Sequence, residues 1–179
     1  MGHSWGGFST LNISALHPEI SHVVVLSGFV SVEELVKTFF SGILKWYRKA
    51  ILELERKANP KFFGYNAVES LSNSNAKTLL IYSADDQMCK KAHFDILKSG
   101  LAGKNNIQFL LVDRKGHNPN YTEEAVKYLG EFGKSRAKLL KKKDLTDEEK
   151  AVFVASYDWD KMTEQDESVW KAIFDCLDQ

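Results

Sequence analysis

Cysteine, proline and net charge are all scarce in this chain of 179 residues. The two cysteines, Cys89 and Cys176, lie far apart and match no metal-ligand spacing. They read as reduced thiols of a cytoplasmic protein. Basic and acidic residues balance at 24 each, so formal net charge is zero. No global field therefore draws nucleic acid or an anionic membrane to the chain. No apolar run approaches the ~20 residues a membrane helix needs. The N-terminus shows no basic region followed by an apolar stretch, and the chain carries no internal repeat or low-complexity segment. What is there is the balance of a globular domain, with 44% hydrophobic and 27% charged residues. The length suits one domain with a sizeable core.

Three continuous apolar runs, Val23–Ser27, Thr78–Ser83 and Ile107–Val112, read as strands buried on both faces. Helical periodicity separates them. Trp5 to Leu16 suits a buried helix ended by His17-Pro18. Phe29 to Lys77 is helical in period and rich in aromatics, with a break at Asn59-Pro60 and a short helix from Asn66 to Leu71. A further helix spans His93 to Leu101. Strands alternating with helices imply an α/β fold, a right-handed parallel sheet with helices on both faces. Beyond His117 the chain is helical to its end. Thr122 caps a helix running to Lys141-Lys142-Lys143, Thr146 to Glu149 forms a capping box, and Thr163 to Asp166 starts the last helix. The expected organisation is a sheet-containing domain over residues 1–140, with a helical insertion over 28–77, and a helical C-terminal extension over 141–179.

The chemistry-bearing residues sit at the strand ends. Gly2-His3-Ser4-Trp5-Gly6 matches G-x-S-x-G, the spacing of a nucleophile elbow. A serine on a tight strand-to-helix turn has strained backbone angles, and glycines two before and two after it remove side chains that would collide there. Acyl transfer needs a base for the serine proton, and that imidazole needs a carboxylate to fix its tautomer. Asp85-Asp86 follows the second apolar run and His117 follows the third. The order Ser4, Asp, His117, each at the carboxyl end of a strand, is where open parallel sheets place their active sites. Either Asp85 or Asp86 can follow the strand end.

In Gly2-His3-Ser4-Trp5-Gly6-Gly7, Ser83-Ala84-Asp85-Asp86 and Gly116-His117 the chain resembles the α/β-hydrolase superfamily, closest to its prolyl-oligopeptidase and dienelactone-hydrolase-like members. The resemblance covers residues 1–135. Many members carry G-x-x-D after the second of these strands. Ser83 stands in the glycine position, so the resemblance puts Asp86 in the catalytic register and Asp85 behind it. It implies a serine hydrolase acting on an ester or amide through an acyl-serine, with Ser4 as nucleophile, His117 as base, Asp86 as its orienting acid and the Trp5 N–H as an oxyanion donor. No metal or organic cofactor is implied.

An α/β-hydrolase sheet has about eight strands with the elbow after the fifth, so this chain reads as the C-terminal part of such a fold, supplying about three. The second oxyanion donor, from a loop after the third strand, is then not supplied. Loss of one donor costs ~10²–10³ in rate, and ~1 Å of serine misplacement costs ~10²-fold. The competing expectation, a non-catalytic binding or assembly module, rests on an open sheet edge at Val23 to Leu26 that would pair with a second copy or another partner.

Phe39, Phe40, Trp46, Tyr47, Phe62, Phe63 and Tyr65 of the insertion are expected either to form a helical hairpin core or to line an acyl pocket. His3 reads as a packing residue. His17, His22 and His93 read as surface or helix-end histidines, and Cys89 as a buried structural thiol bordering the site. Lys141-Lys142-Lys143 reads as a helix end.

Overall fold

Each of the three apolar runs forms a parallel strand, and a two-residue strand precedes them. The computed structural model describes residues 1–178. The strands are β1 (Gly2–His3), β2 (His22–Leu26), β3 (Lys77–Ser83) and β4 (Ile107–Val112), in the spatial order β1-β2-β3-β4 and all parallel. The helices are α1 (Trp5–Leu16), α2 (Val32–Phe39), α3 (Tyr47–Ala58), α4 (Ala67–Ser72), α5 (Lys91–Gly100), α6 (Glu123–Leu139), α7 (Asp147–Ala155), α8 (Trp159–Met162) and α9 (Glu167–Leu177). A 3-10 turn over Gly42–Trp46 joins α2 to α3.

β1 supplies a short strand ahead of the elbow and pairs with part of the edge of β2. Gly2 pairs with Val25 and His3 with Leu26, and the Ser4 N–H continues the ladder to the Leu26 carbonyl at 3.0 Å. The serine is therefore anchored to the sheet through the strand that leads into its turn. The edge read as open at Val23 to Leu26 is occupied at Val25 and Leu26.

Strand alternation builds two cores. Val23, Val25, Leu80 and Tyr82 face Leu11 of α1, Ala67 and Leu71 of α4, and Phe94 and Leu97 of α5. Val24, Leu26, Leu79 and Ile81 face the other way, onto Val169, Ile173 and Cys176 of α9. This division has a topological cause. Right-handed crossovers in a sheet that grows in one direction all fall on one face, so α1, α4 and α5 share a side. Among the described residues, the other face is covered by chain beyond β4. Residues 141–179, read as an extension of the domain, thus include a helix that closes its second core. Similarly α4, inside the stretch read as insertion, belongs to the main core. A third cluster, Phe8, Phe29, Val32, Val36 and Cys89, joins the insertion to α1.

Capping follows the sequence closely. Thr122 caps α6, Asn66 caps α4, and Thr146 with Glu149 makes a reciprocal capping box on α7. The last helix starts later than its Thr163 signal, because Asp166 accepts from the Ser168 and Val169 N–H groups. Among the described residues, no helix is long and apolar enough to cross a membrane.

Candidate active site

Ser4 stands at the junction of β1 and α1 with φ 56° and ψ −117°, a region that L-residues enter only when their surroundings enforce it. Gly2 is what the turn requires. A Cβ on Gly2 would lie 2.2 Å from the Gly6 carbonyl oxygen and from Thr10 Oγ1. Gly6 departs from the expectation: a Cβ there meets nothing within 4 Å, since the residue lies exposed on the first turn of α1. The second glycine under steric demand is instead Gly7, whose Cβ would approach the Gly28 Cα to 2.9 Å. That contact lets α1 sit tightly on the end of β2.

His117 follows β4 on a short loop that uses left-handed backbone at Arg114 and Gly116, φ 58° and 52°. Its Nε2 lies 2.9 Å from Ser4 Oγ and its Nδ1 lies 2.9 Å from Asp86 Oδ2. A carboxylate only accepts, so Nδ1 carries a proton and Nε2 faces the serine hydroxyl as acceptor. Asp86 is buried, and its other oxygen accepts from the Met88 and Cys89 N–H groups at 2.7 and 3.0 Å. Burial opposes its charge, but the hydrogen bond and charge of His117 and the Met88 N–H outweigh it, holding the carboxyl below its ordinary value.

Among the described residues, the carboxylate bonded to the His117 ring is that of Asp86, while Asp85 bonds elsewhere. Its Oδ1 accepts from the Ser83 hydroxyl and from the Gly116 N–H at 3.1 Å, while Ser83 Oγ accepts from the Lys115 N–H at 3.2 Å. Asp85 and Ser83 therefore grip the backbone of the loop that carries His117, and Asp86 faces the imidazole. Trp5 opens α1, so its N–H belongs to the first turn and has no acceptor within the helix. Its indole is exposed, edge-on to Phe29.

The loop has a second brace that no local motif signals. Lys115 Nζ pairs with Asp166 Oδ2 at 2.7 Å, and the Asp166 and Thr122 N–H groups bond to the Asn120 and Glu164 carbonyls. Asp166 titrates at about 2; partial burial raises it, but Lys115, Ser168 and the Val169 N–H lower it further.

A cavity of about 40 Å³ opens beside Ser4, walled by Trp5, Phe29, Leu35, Phe39, Met88 and Cys89. The expected aromatic set divides here. Phe39 reaches this cavity, and Phe62 and Tyr65 line a separate apolar groove of about 360 Å³ against Trp5 and α1. Phe40, Phe63 and Tyr65 pack on the third core, while Trp46 and Tyr47 are exposed. Cys89 is buried at the cavity wall. Burial, then the charge of Asp86, push its thiol up to about 12, against an opposing contact with Ser4, so it stays protonated and inert. His93, read as a surface or helix-end residue, is buried on α5 and its proton affinity is lowered by that burial. His3 contacts the loop directly. Its Nε2 lies 2.7 Å from the His117 carbonyl and its ring centroid 4.7 Å from that of His117. Among the described residues, no group of three or more His, Cys, Asp or Glu side chains could hold a metal ion.

A parallel sheet with its serine at a strand-to-helix turn after β1, an aspartate beyond β3 and a histidine beyond β4 is the arrangement found in α/β-hydrolase folds. Among solved structures, the chain is similar to a puromycin-hydrolysing peptidase of Mycobacterium tuberculosis, at 13% identity and TM-score 0.49 over 65% of this chain and 18% of the other. It is similar to the esterase domain of a Rhodothermus marinus protein, at 18% identity and TM-score 0.48 over 76% of this chain and 58% of the other. It is also similar to an alpha/beta hydrolase enzyme from a lagoon-sediment metagenome, at 19% identity and TM-score 0.44 over 76% and 60%. The chain spans less than two thirds of each of these proteins. No protein-family model matches it, and no curated sequence does.

Proposed function

We propose that the protein is a serine hydrolase that cleaves a carboxylic ester or amide through an acyl-serine intermediate. The observation that carries this is the unbroken line Ser4 Oγ–His117 Nε2 and His117 Nδ1–Asp86 Oδ2, each link 2.9 Å. His117 takes the Ser4 proton as the oxygen attacks the carbonyl carbon, and Asp86 stabilises the imidazolium that forms. The tetrahedral oxyanion develops beside the first turn of α1, where the Trp5 N–H and the helix dipole meet it. His117 then returns the proton to the leaving alcohol or amine. Water repeats the sequence to release the acid and restore Ser4. The small apolar cavity beside Ser4 suits a short, uncharged acyl group.

A fluorophosphonate probe tests this on the protein itself. Stoichiometric phosphonylation at Ser4, lost in Ser4→Ala and in His117→Ala, is the expected outcome. A folded sample that takes up no label overturns the reading.

A further inference from the structure

We propose that His3 is a positioning residue for His117, holding the backbone of the base while Ser4 and Asp86 hold its ring; this rests on the acyl-serine reading above.

His117 lies on a loop, and loops are the most mobile part of a fold. Bonds to its two ring nitrogens orient the imidazole about its side-chain torsions, but they do not fix where its Cα sits. The structure supplies that missing constraint from β1. A carbonyl oxygen accepts only, so the 2.7 Å contact between His3 Nε2 and the His117 carbonyl is an N–H donated by His3. The His3 ring also packs on the His117 ring, with centroids 4.7 Å apart and planes 50° apart. His3 immediately precedes Ser4 and pairs with Leu26 on the sheet. Nucleophile and base are therefore tied to the same two-residue strand, one through its own backbone and the other through the neighbouring side chain. Any drift of the loop away from Ser4 must break the His3 bond.

This coupling differs from the other two braces on the loop. Asp85 with Ser83 grips Lys115 and Gly116, and Asp166 grips the Lys115 side chain. Both act before His117 in the chain, and the one backbone bond on its peptide, from the Asn118 N–H to the Lys115 carbonyl at 3.1 Å, closes the loop on itself and does not tie it to the sheet. Among the described residues, only His3 bonds the peptide carbonyl of the base itself.

The test compares His3→Phe, which keeps a ring but has no donor, with His3→Gln, whose amide nitrogen reaches about as far as Nε2. Three quantities are read: the phosphonylation rate of Ser4, the melting temperature, and the downfield proton resonance of His117 Nδ1–H. Expected for His3→Phe is labelling slowed by ~10–10²-fold, with the resonance shifted or broadened. Expected for His3→Gln is recovery to within a few-fold of the parent rate, with the resonance restored. Wild-type labelling and an unmoved resonance in His3→Phe overturn the proposal, as does a His3→Gln no better than His3→Phe. If His3→Phe does not fold, His3→Asn, with an amide too short to reach the carbonyl, takes its place under the same criteria. A parent protein that takes no label sinks the acyl-serine reading alone, and the Nδ1–H resonance then decides on His3 independently.

Discussion

At the scale of single residues, the site depends on which of two adjacent carboxylates turns toward the imidazole. Asp85 and Asp86 leave the backbone on different sides of the same turn, so one grips the loop and the other meets His117. Asp86→Asn is expected to slow Ser4 phosphonylation by ~10³-fold or more, because an amide permits the wrong tautomer. Asp85→Asn removes a loop contact and is expected to slow it by less than ~10-fold. Equal losses would contradict the assignment. The elbow glycines make a second pair. Gly2→Ala forces a methyl onto the Gly6 carbonyl at 2.2 Å and is expected to cost upwards of ~2 kcal/mol, measured by urea denaturation. Gly6→Ala enters open space at a helix N-terminus and is expected to leave stability within ~0.5 kcal/mol. The motif G-x-S-x-G was legible in the sequence. Which glycine bears the steric demand was not, because that depends on what packs over the turn, and here Gly28 packs on Gly7.

At the scale of elements, the N-terminus of α9 is tied to the loop that carries His117. Asp166 does two things at once: it caps α9 and it pairs with Lys115. Asp166→Asn preserves the cap, since asparagine caps as well as aspartate, and removes the ion pair. The expected loss is about 1–2 kcal/mol at neutral pH. The sign with pH follows from the direction of the shift. A carboxyl that titrates at about 2 when folded and near the ordinary ~4 when unfolded stabilises the fold above pH ~4. That contribution fades as pH falls toward about 2. The stability gap between parent and Asp166→Asn is therefore expected to be full at pH 6 and nearly closed at pH 2. A gap independent of pH would mean that the contact is one of packing. Nothing in the local sequence around Lys115 or Asp166 announces this pair, 51 positions apart. The helices themselves were legible from their caps and periods.

At the scale of the whole molecule, one helix decides whether the sheet is covered. The crossovers lie on one face, and among the described residues α9 supplies Val169, Ile173 and Cys176 to the other core. Ile173→Ala is expected to cost ~2–5 kcal/mol, as for a fully buried aliphatic side chain, read as a fall in denaturation midpoint without a change in slope. Phe174→Ala, on the exposed side of the same helix, is expected to cost under ~1 kcal/mol. Comparable losses from the two would show that α9 does not pack as described. The run Lys141-Lys142-Lys143, read as a helix end, follows the close of α6 at Leu139.

By itself the sequence determined the three longer parallel strands, the starts of the capped helices α4, α6 and α7, and the order of serine, aspartate and histidine. These are local or periodic signals: β-branched runs, capping side chains, and turn residues at strand ends. The tertiary structure alone decided that Gly2–His3 pairs as a strand, that Asp85 grips the loop before His117, that α9 packs on the second core and that His3 reaches the His117 carbonyl. Each of these depends on two segments distant in the chain arriving at one place. Local propensity acts over a turn or a strand, whereas the direction of a side chain across a site is set by the packing of everything around it.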